Sequence, residues 1–90
     1  MPKAYEIKAF VDERGERIPF YLSISQPLRD RPHRDYFCQV RAPLLFAGDK
    51  KIYGIDAPQA KLLAVSFVKS LLGERELLDK DGATLSIDYQ

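Results

Sequence analysis

Apolar and polar positions alternate along two early stretches of the chain. From Ala4 to Val11, Tyr5, Ile7, Ala9 and Val11 fall on one side and Glu6, Lys8 and Phe10 on the other. From Arg17 to Ser25, Ile18, Phe20, Leu22 and Ile24 fall on one side and Arg17, Tyr21 and Ser23 on the other. A period of two marks a half-buried strand. Asp12-Glu13-Arg14-Gly15 separates the two, with Gly15 free to take positive φ. The expected hairpin has a four-residue loop. It pairs Val11 with Glu16, Ala9 with Ile18, Ile7 with Phe20 and Tyr5 with Leu22. Apolar residues then meet on one face, and a slip of one residue would break all these pairs. Pro19 cannot donate to a ladder, so the second strand is an edge there or turns that nitrogen away from the first.

The period changes after residue 56. Ala60, Leu63, Ala64, Phe67, Val68, Leu71 and Leu72 follow in steps of three and one, which is one face of a helix. Asp56 reads as its N-cap and Gln59 as the N3 residue of a capping box, reaching back to the Asp56 N–H. Pro58 falls in the first turn, where its missing N–H costs nothing. Gly73 reads as the residue that closes the helix after Leu72. The apolar stripe is expected to pack on the domain's own sheet.

Other segments are shorter. Pro27 to Arg34 reads as a loop, because Pro27 and Pro32 exclude regular structure. Asp35 to Ala42 is expected to be a strand, with Tyr36, Cys38 and Val40 toward the core and Phe37, Gln39 and Arg41 away from it. Pro43 and Gly48 break the Ala42–Asp49 stretch, yet Leu44, Leu45 and Phe46 must fold back on the core. Lys50–Tyr53 is a fourth strand. Glu74–Leu78 suits one further helical turn. Thr84–Tyr89 suits a last strand with Leu85, Ile87 and Tyr89 inward. The sum is an α+β two-layer sandwich, β-β-β-β-α-β, with a mostly antiparallel sheet of four to five strands on one long helix. The order of the strands is open, and the last one fits an edge or the centre.

From Tyr36-Phe37-Cys38 through Tyr53-Gly54-Ile55-Asp56 to Gln59-Ala60 and Leu63-Ala64, the chain resembles a group of small bacterial proteins of unknown function. Their shared pattern is an aromatic-x-Cys strand followed by a Tyr-Gly-Ile/Val-Asp-x-x-Gln-Ala-x-x-Leu-Ala helix start. The resemblance covers roughly the central third of the chain. These are cap and packing residues, so it implies a fold and assigns no catalytic residue.

Composition narrows the function classes. Residues 1–90 make one domain. The net charge of +1 gives no global pull toward nucleic acid or an anionic membrane. No run reaches the ~20 apolar residues of a membrane span. Met1–Glu6 lacks the apolar core of a signal peptide, so a cytoplasmic protein is expected. The single cysteine, Cys38, excludes an internal disulfide and any multi-cysteine metal site. No cofactor and no metal are expected.

Candidate chemistry is sparse. Cys38 and His33 form the one conceivable nucleophile–base pair. An inward cysteine on a strand is more often an inert core thiol, and His33 sits in a charged, proline-broken loop. Asp79, Asp81 and Gly82 lack the ligand spacing of a calcium loop. Arg29, Arg31, His33 and Arg34 cluster, but Asp30 and Asp35 interleave with them. The outer sheet face is richer. Phe10, Arg17, Tyr21, Phe37 and Arg41 all point away from the helix, with Lys8 among them. Aromatic and arginine residues are typical of interface centres. Aromatics among cations can also stack on single-stranded nucleic acid, but the glycine-aromatic signature of RNA-recognition sheets is absent. The leading expectation is a small non-enzymatic protein-interaction module, self-associating or held by a protein partner. An immunity- or antitoxin-like role fits the size. The alternatives are an enzyme using Cys38 and His33, or weak nucleic-acid binding.

Overall fold

A computed structural model describes residues 3–32 and 35–89 of the chain. One helix packs on a mostly antiparallel sheet, the α+β arrangement expected, with seven strands rather than four to five. Strand β1 (Lys3–Glu13) and strand β2 (Glu16–Ser25) form the hairpin. Its loop holds two residues, not four. Arg14 takes φ 53° and Gly15 φ 85°, and Asp12 Oδ1 accepts the Gly15 N–H at 3.1 Å. Two successive positive φ values match the right-handed twist of paired strands. The register therefore moves by two residues from the expected one: Val11 faces Ile18, Ala9 faces Phe20, Ile7 faces Leu22 and Tyr5 faces Ile24. A shift of two keeps every side chain on its face, so the core residues are unchanged.

Strand β3 (Leu28–Asp30) lies where a loop was expected. Pro27 and Pro32 fall just outside it, so neither has to donate to the ladder. Strand β4 (Asp35–Arg41) pairs along one edge with β5 (Asp49–Gly54). Its other edge is shared: Arg41 and Val40 face Ser23 and Ile24 of β2, and Phe37 to Asp35 face Leu28 to Asp30 of β3. At the break between β2 and β3 the Ser25 hydroxyl accepts the Gln39 N–H at 2.8 Å, replacing a ladder bond. Strand β6 (Leu77–Leu78) replaces the expected helical turn. It pairs with β1 only at Phe10 and Val11. Strand β7 (Thr84–Leu85) pairs with β6 and so lies at the sheet's edge.

The hairpin is thus flanked on opposite sides at opposite ends. β4 covers β2 at its end far from the turn, and β6 covers β1 near the turn. This stagger draws the molecule out to 47 × 24 × 23 Å.

Helix α1 (Ala57–Leu72) follows β5 directly and lies on β4 and β5. Asp56 Oδ1 accepts the Gln59 N–H at 2.8 Å, as an N-cap does. The Gln59 side chain accepts the N–H of Ile55 rather than that of Asp56, so the box closes one residue earlier than expected. Gly73, at φ 64°, donates its N–H to the Lys69 carbonyl and ends the helix. The buried face is narrower than the apolar stripe: Ala60, Ala64, Val68 and Leu72 are buried, whereas Leu63 and Leu71 are each 40% exposed. Two alanines on this line let the helix backbone approach the sheet closely. Phe46 and Phe67 meet at 5.7 Å between ring centroids along one flank of the helix, so Phe46, with Leu45, does fold back on the core, whereas Leu44, expected there too, is 38% exposed. Along the other flank run Ile87, which is buried, and Tyr89, whose ring stacks on Tyr5 at 5.2 Å.

Candidate interaction surface

The helix-side face of the hairpin is consumed by the core: Ala9, Val11, Phe20, Leu22 and Ile24 are buried. Strand alternation sends Lys8, Phe10, Pro19 and Tyr21 to the opposite face. There Phe10 lies across from Pro19, and Lys8 from Tyr21. Pro43 and Leu44 of the neighbouring loop rise beside them and close an apolar groove of about 370 Å³. Leu44 is 38% exposed at its rim. The Tyr21 hydroxyl donates to Glu6 Oε2 at 2.6 Å, which fixes that ring across the hairpin.

The five residues expected on one face do not form one surface. Phe10 and Tyr21 share the groove. Arg17 lies near the hairpin turn and donates to the Lys80 carbonyl of the β6–β7 turn at 3.2 Å. Arg41 is tied to Asp49 through Nε and Oδ1 at 2.8 Å, and that bond holds the Asp49 carboxyl below its ordinary range. Phe37 faces Leu28, seven residues past Tyr21, which is roughly 20 Å away at the rise of a strand. It is also only 7% exposed. Tyr53, opposite it on β5, tilts against its ring at 5.6 Å, and the Lys51 ammonium lies 4.9 Å from the ring centroid. A cross-strand neighbour thus covers Phe37. The sequence carried a signal for this, since an aromatic and a lysine stand two apart on the next strand.

Leu44 is the groove residue that strand reasoning missed, because it belongs to an irregular loop whose path no periodicity fixes. Two stretches of strand edge also went unread. Among the described residues no strand pairs with β1 from Ala4 to Ala9, nor with the outer edge of β2 from Glu16 to Leu22.

The remaining candidates separate. Cys38 is fully buried, and burial pushes its thiol up, against a smaller lowering by Lys61. His33 and Arg34 lie outside the described residues. Arg29 and Arg31 are exposed. Asp79 Oδ1 accepts the N–H groups of Asp81 and Ala83, so its carboxylate organises its own turn. No three metal-ligating side chains cluster among the described residues, and no helix among them is long and apolar enough to cross a membrane. Comparison with family models, with curated proteins and with solved structures finds no match to this chain.

A thiolate is the reactive form of cysteine, and burial disfavours it. Alkylation of Cys38 in the folded protein at neutral pH is therefore expected to be at least a hundredfold slower than in denaturant, a ratio of about 3 kcal/mol, well within typical domain stability. Mass spectrometry of iodoacetamide-treated protein reads this directly. Native labelling within tenfold of the denatured rate would return Cys38 to the list of reactive groups.

Proposed function

We propose that this chain is a small protein-binding module without catalytic activity of its own. It engages a protein, either another chain or a second copy, through the outer face and open edges of its hairpin. One observation carries the reading: an apolar groove built by Phe10, Pro19, Tyr21 and Leu44 adjoins an unpaired stretch of strand. Aromatic side chains in a groove supply contact area at low entropic cost, and a free edge supplies backbone donors and acceptors. The fully buried Cys38 favours this reading over an enzyme. A nucleic-acid platform loses support because Phe37 is covered and Arg41 is ion-paired. The proposal includes a bacterial, cytoplasmic setting, with kinship to small bacterial proteins of unknown function and an immunity- or antitoxin-like partnership.

The test compares wild type and Phe10→Ser as immobilised baits, each verified as folded by circular dichroism. Phe10 is half-buried at the groove. Loss of an aromatic anchor typically costs ~2 kcal/mol or more of binding. At least a tenfold drop in the retained protein is expected with the variant. Equal retention by both baits, or retention of nothing by either, overturns the reading.

A further inference from the structure

We propose that residues 86–89 form a strap that swings off the helix-side face while sheet and helix stay folded, with Tyr89 as the gate to Cys38. The strap lies on the face opposite the groove and is independent of the protein-binding reading. After β7 the chain belongs to neither helix nor strand, yet it keeps a strand's alternation. Ser86 and Asp88 are exposed, Ile87 is buried and Tyr89 is half-buried. The ladder of β7 stops at Leu85, so the inward side chains of this extended segment reach the core without a paired strand beside them.

The far end of the segment is anchored through side chains. The Asp88 N–H donates to the Tyr5 hydroxyl at 2.8 Å, and the Tyr89 ring stacks on that same tyrosine. The Tyr89 hydroxyl donates to the Ser25 carbonyl at 3.1 Å. The Lys61 ammonium lies 4.6 Å from the Tyr89 ring centroid. One ring therefore touches β1, the end of β2 and the helix, and its departure releases all three contacts without breaking a ladder. Segments outside the ladders open at less cost than the whole domain.

Cys38 lies behind this ring. Its side chain is fully buried, and Tyr89 packs on the same cluster. The next residue, Gln39, donates its N–H to the Ser25 hydroxyl, and the Ser25 carbonyl holds the Tyr89 hydroxyl. The ring's tip and the thiol are thus fixed at one corner of the sheet. Lys61 completes that corner. Burial raises the Cys38 thiol and the Lys61 charge lowers it, while burial and then Cys38 raise the Tyr89 hydroxyl. The sheet closes the thiol from below and the helix from above. The flank that Tyr89 occupies is the way in.

Iodoacetamide labelling of Cys38 across a urea series separates strap opening from unfolding. When closing outpaces alkylation, the rate follows the open population. Unfolding exposes much surface, so labelling through it rises steeply with urea. Release of a short strap exposes little, so labelling through it is nearly flat. Wild type is expected to show a flat branch at low urea and a steep one above it. Tyr89→Ala loses the stack, the cation contact and the hydroxyl bond, and should raise the flat branch about tenfold or more. Tyr89→Phe loses the hydroxyl bond alone and should raise it less, about fivefold. A general loss of stability would instead move the steep branch, whose position circular dichroism of each protein fixes in the same urea series. Wild-type labelling that is steep from the lowest urea overturns the proposal. So does a flat branch that Tyr89→Ala leaves unchanged, or that Tyr89→Phe leaves unchanged where the alanine variant does not fold.

Discussion

Gly54→Ala is expected to destabilise the fold by about 3 kcal/mol, at the upper end of ordinary overpacking. Gly54 is the last residue of β5 and lies under the first turns of the helix. A Cβ there would stand 2.5 Å from the backbone N of Ala60, 2.9 Å from its Cα and 2.9 Å from the carbonyl carbon of Gln59. No flexible side chain can swing aside, because every one of these atoms belongs to the helix backbone. The helix must lift from the sheet, and the line Ala60, Ala64, Val68 and Leu72 loses contact together. The effect is one of space rather than conformation, since Gly54 is not among the glycines with positive φ. Gly48 is the useful contrast. It takes φ 70° and has nothing within 4 Å of an added Cβ. Gly48→Ala should cost only the left-handed backbone penalty, about 1 kcal/mol. Thermal melts followed by circular dichroism should show Gly54→Ala falling by roughly 10–20 °C and Gly48→Ala by a fraction of that. Equal falls would mean that the helix does not sit as closely on β5 as this geometry requires.

The helix was legible because its signals are local. Asp56, Pro58, Gln59 and Gly73 mark both ends within a few residues, and the structure places the helix between them. Its contact line was less legible. Seven apolar residues were candidates for the buried face, and the sheet selected the four that let backbone approach backbone, leaving Leu63 and Leu71 partly in water. The hairpin faces were legible for a similar reason, since alternation is set by the strand itself. The register was not, because it depends on whether Arg14 joins Gly15 in the left-handed region, and most residues resist that conformation. Strand β3 was hidden by its prolines and β6 by its two-residue length. Neither has a pattern long enough to carry a period.

The site shows the same division. Alternation correctly sends Phe10, Tyr21 and Phe37 to the outer face, but a face is not a surface. Whether outward residues meet depends on which strands lie side by side and how far they are staggered. β4 joins the hairpin only at its end far from the turn, so Phe37 is carried away from Phe10 and Tyr21 and beneath Tyr53. The open stretches of β1 and β2 follow from that stagger as well. They are properties of pairing between strands distant in sequence, and no residue pattern within one strand records them.

Phe20→Ala should cost the most of any single truncation in the hairpin, about 3–5 kcal/mol. Phe20 is 2% exposed and faces Ala9, which is 4% exposed. The large ring fills the volume that the small partner leaves, so no neighbour on β1 can expand into the cavity. The surrounding cluster, Val11, Leu22, Leu72 and Leu77 among others, ties together β1, β2, the helix end and β6. A domain of this size has typically ~5–15 kcal/mol of stability in all, so the loss is a large share of it. The denaturation midpoint should fall while the slope stays unchanged, since the surface exposed on unfolding is nearly the same. Phe20 also forms part of the wall beneath the groove, behind Phe10 and Tyr21. The two phenylalanines should therefore part company. Phe20→Ala lowers stability and weakens partner retention only as far as the folded population falls, whereas Phe10→Ser weakens retention in a protein that remains folded. A cost below 1 kcal/mol for Phe20→Ala would mean that the core near the hairpin turn is loosely packed. The groove above it would then be a shape the molecule visits rather than one it holds.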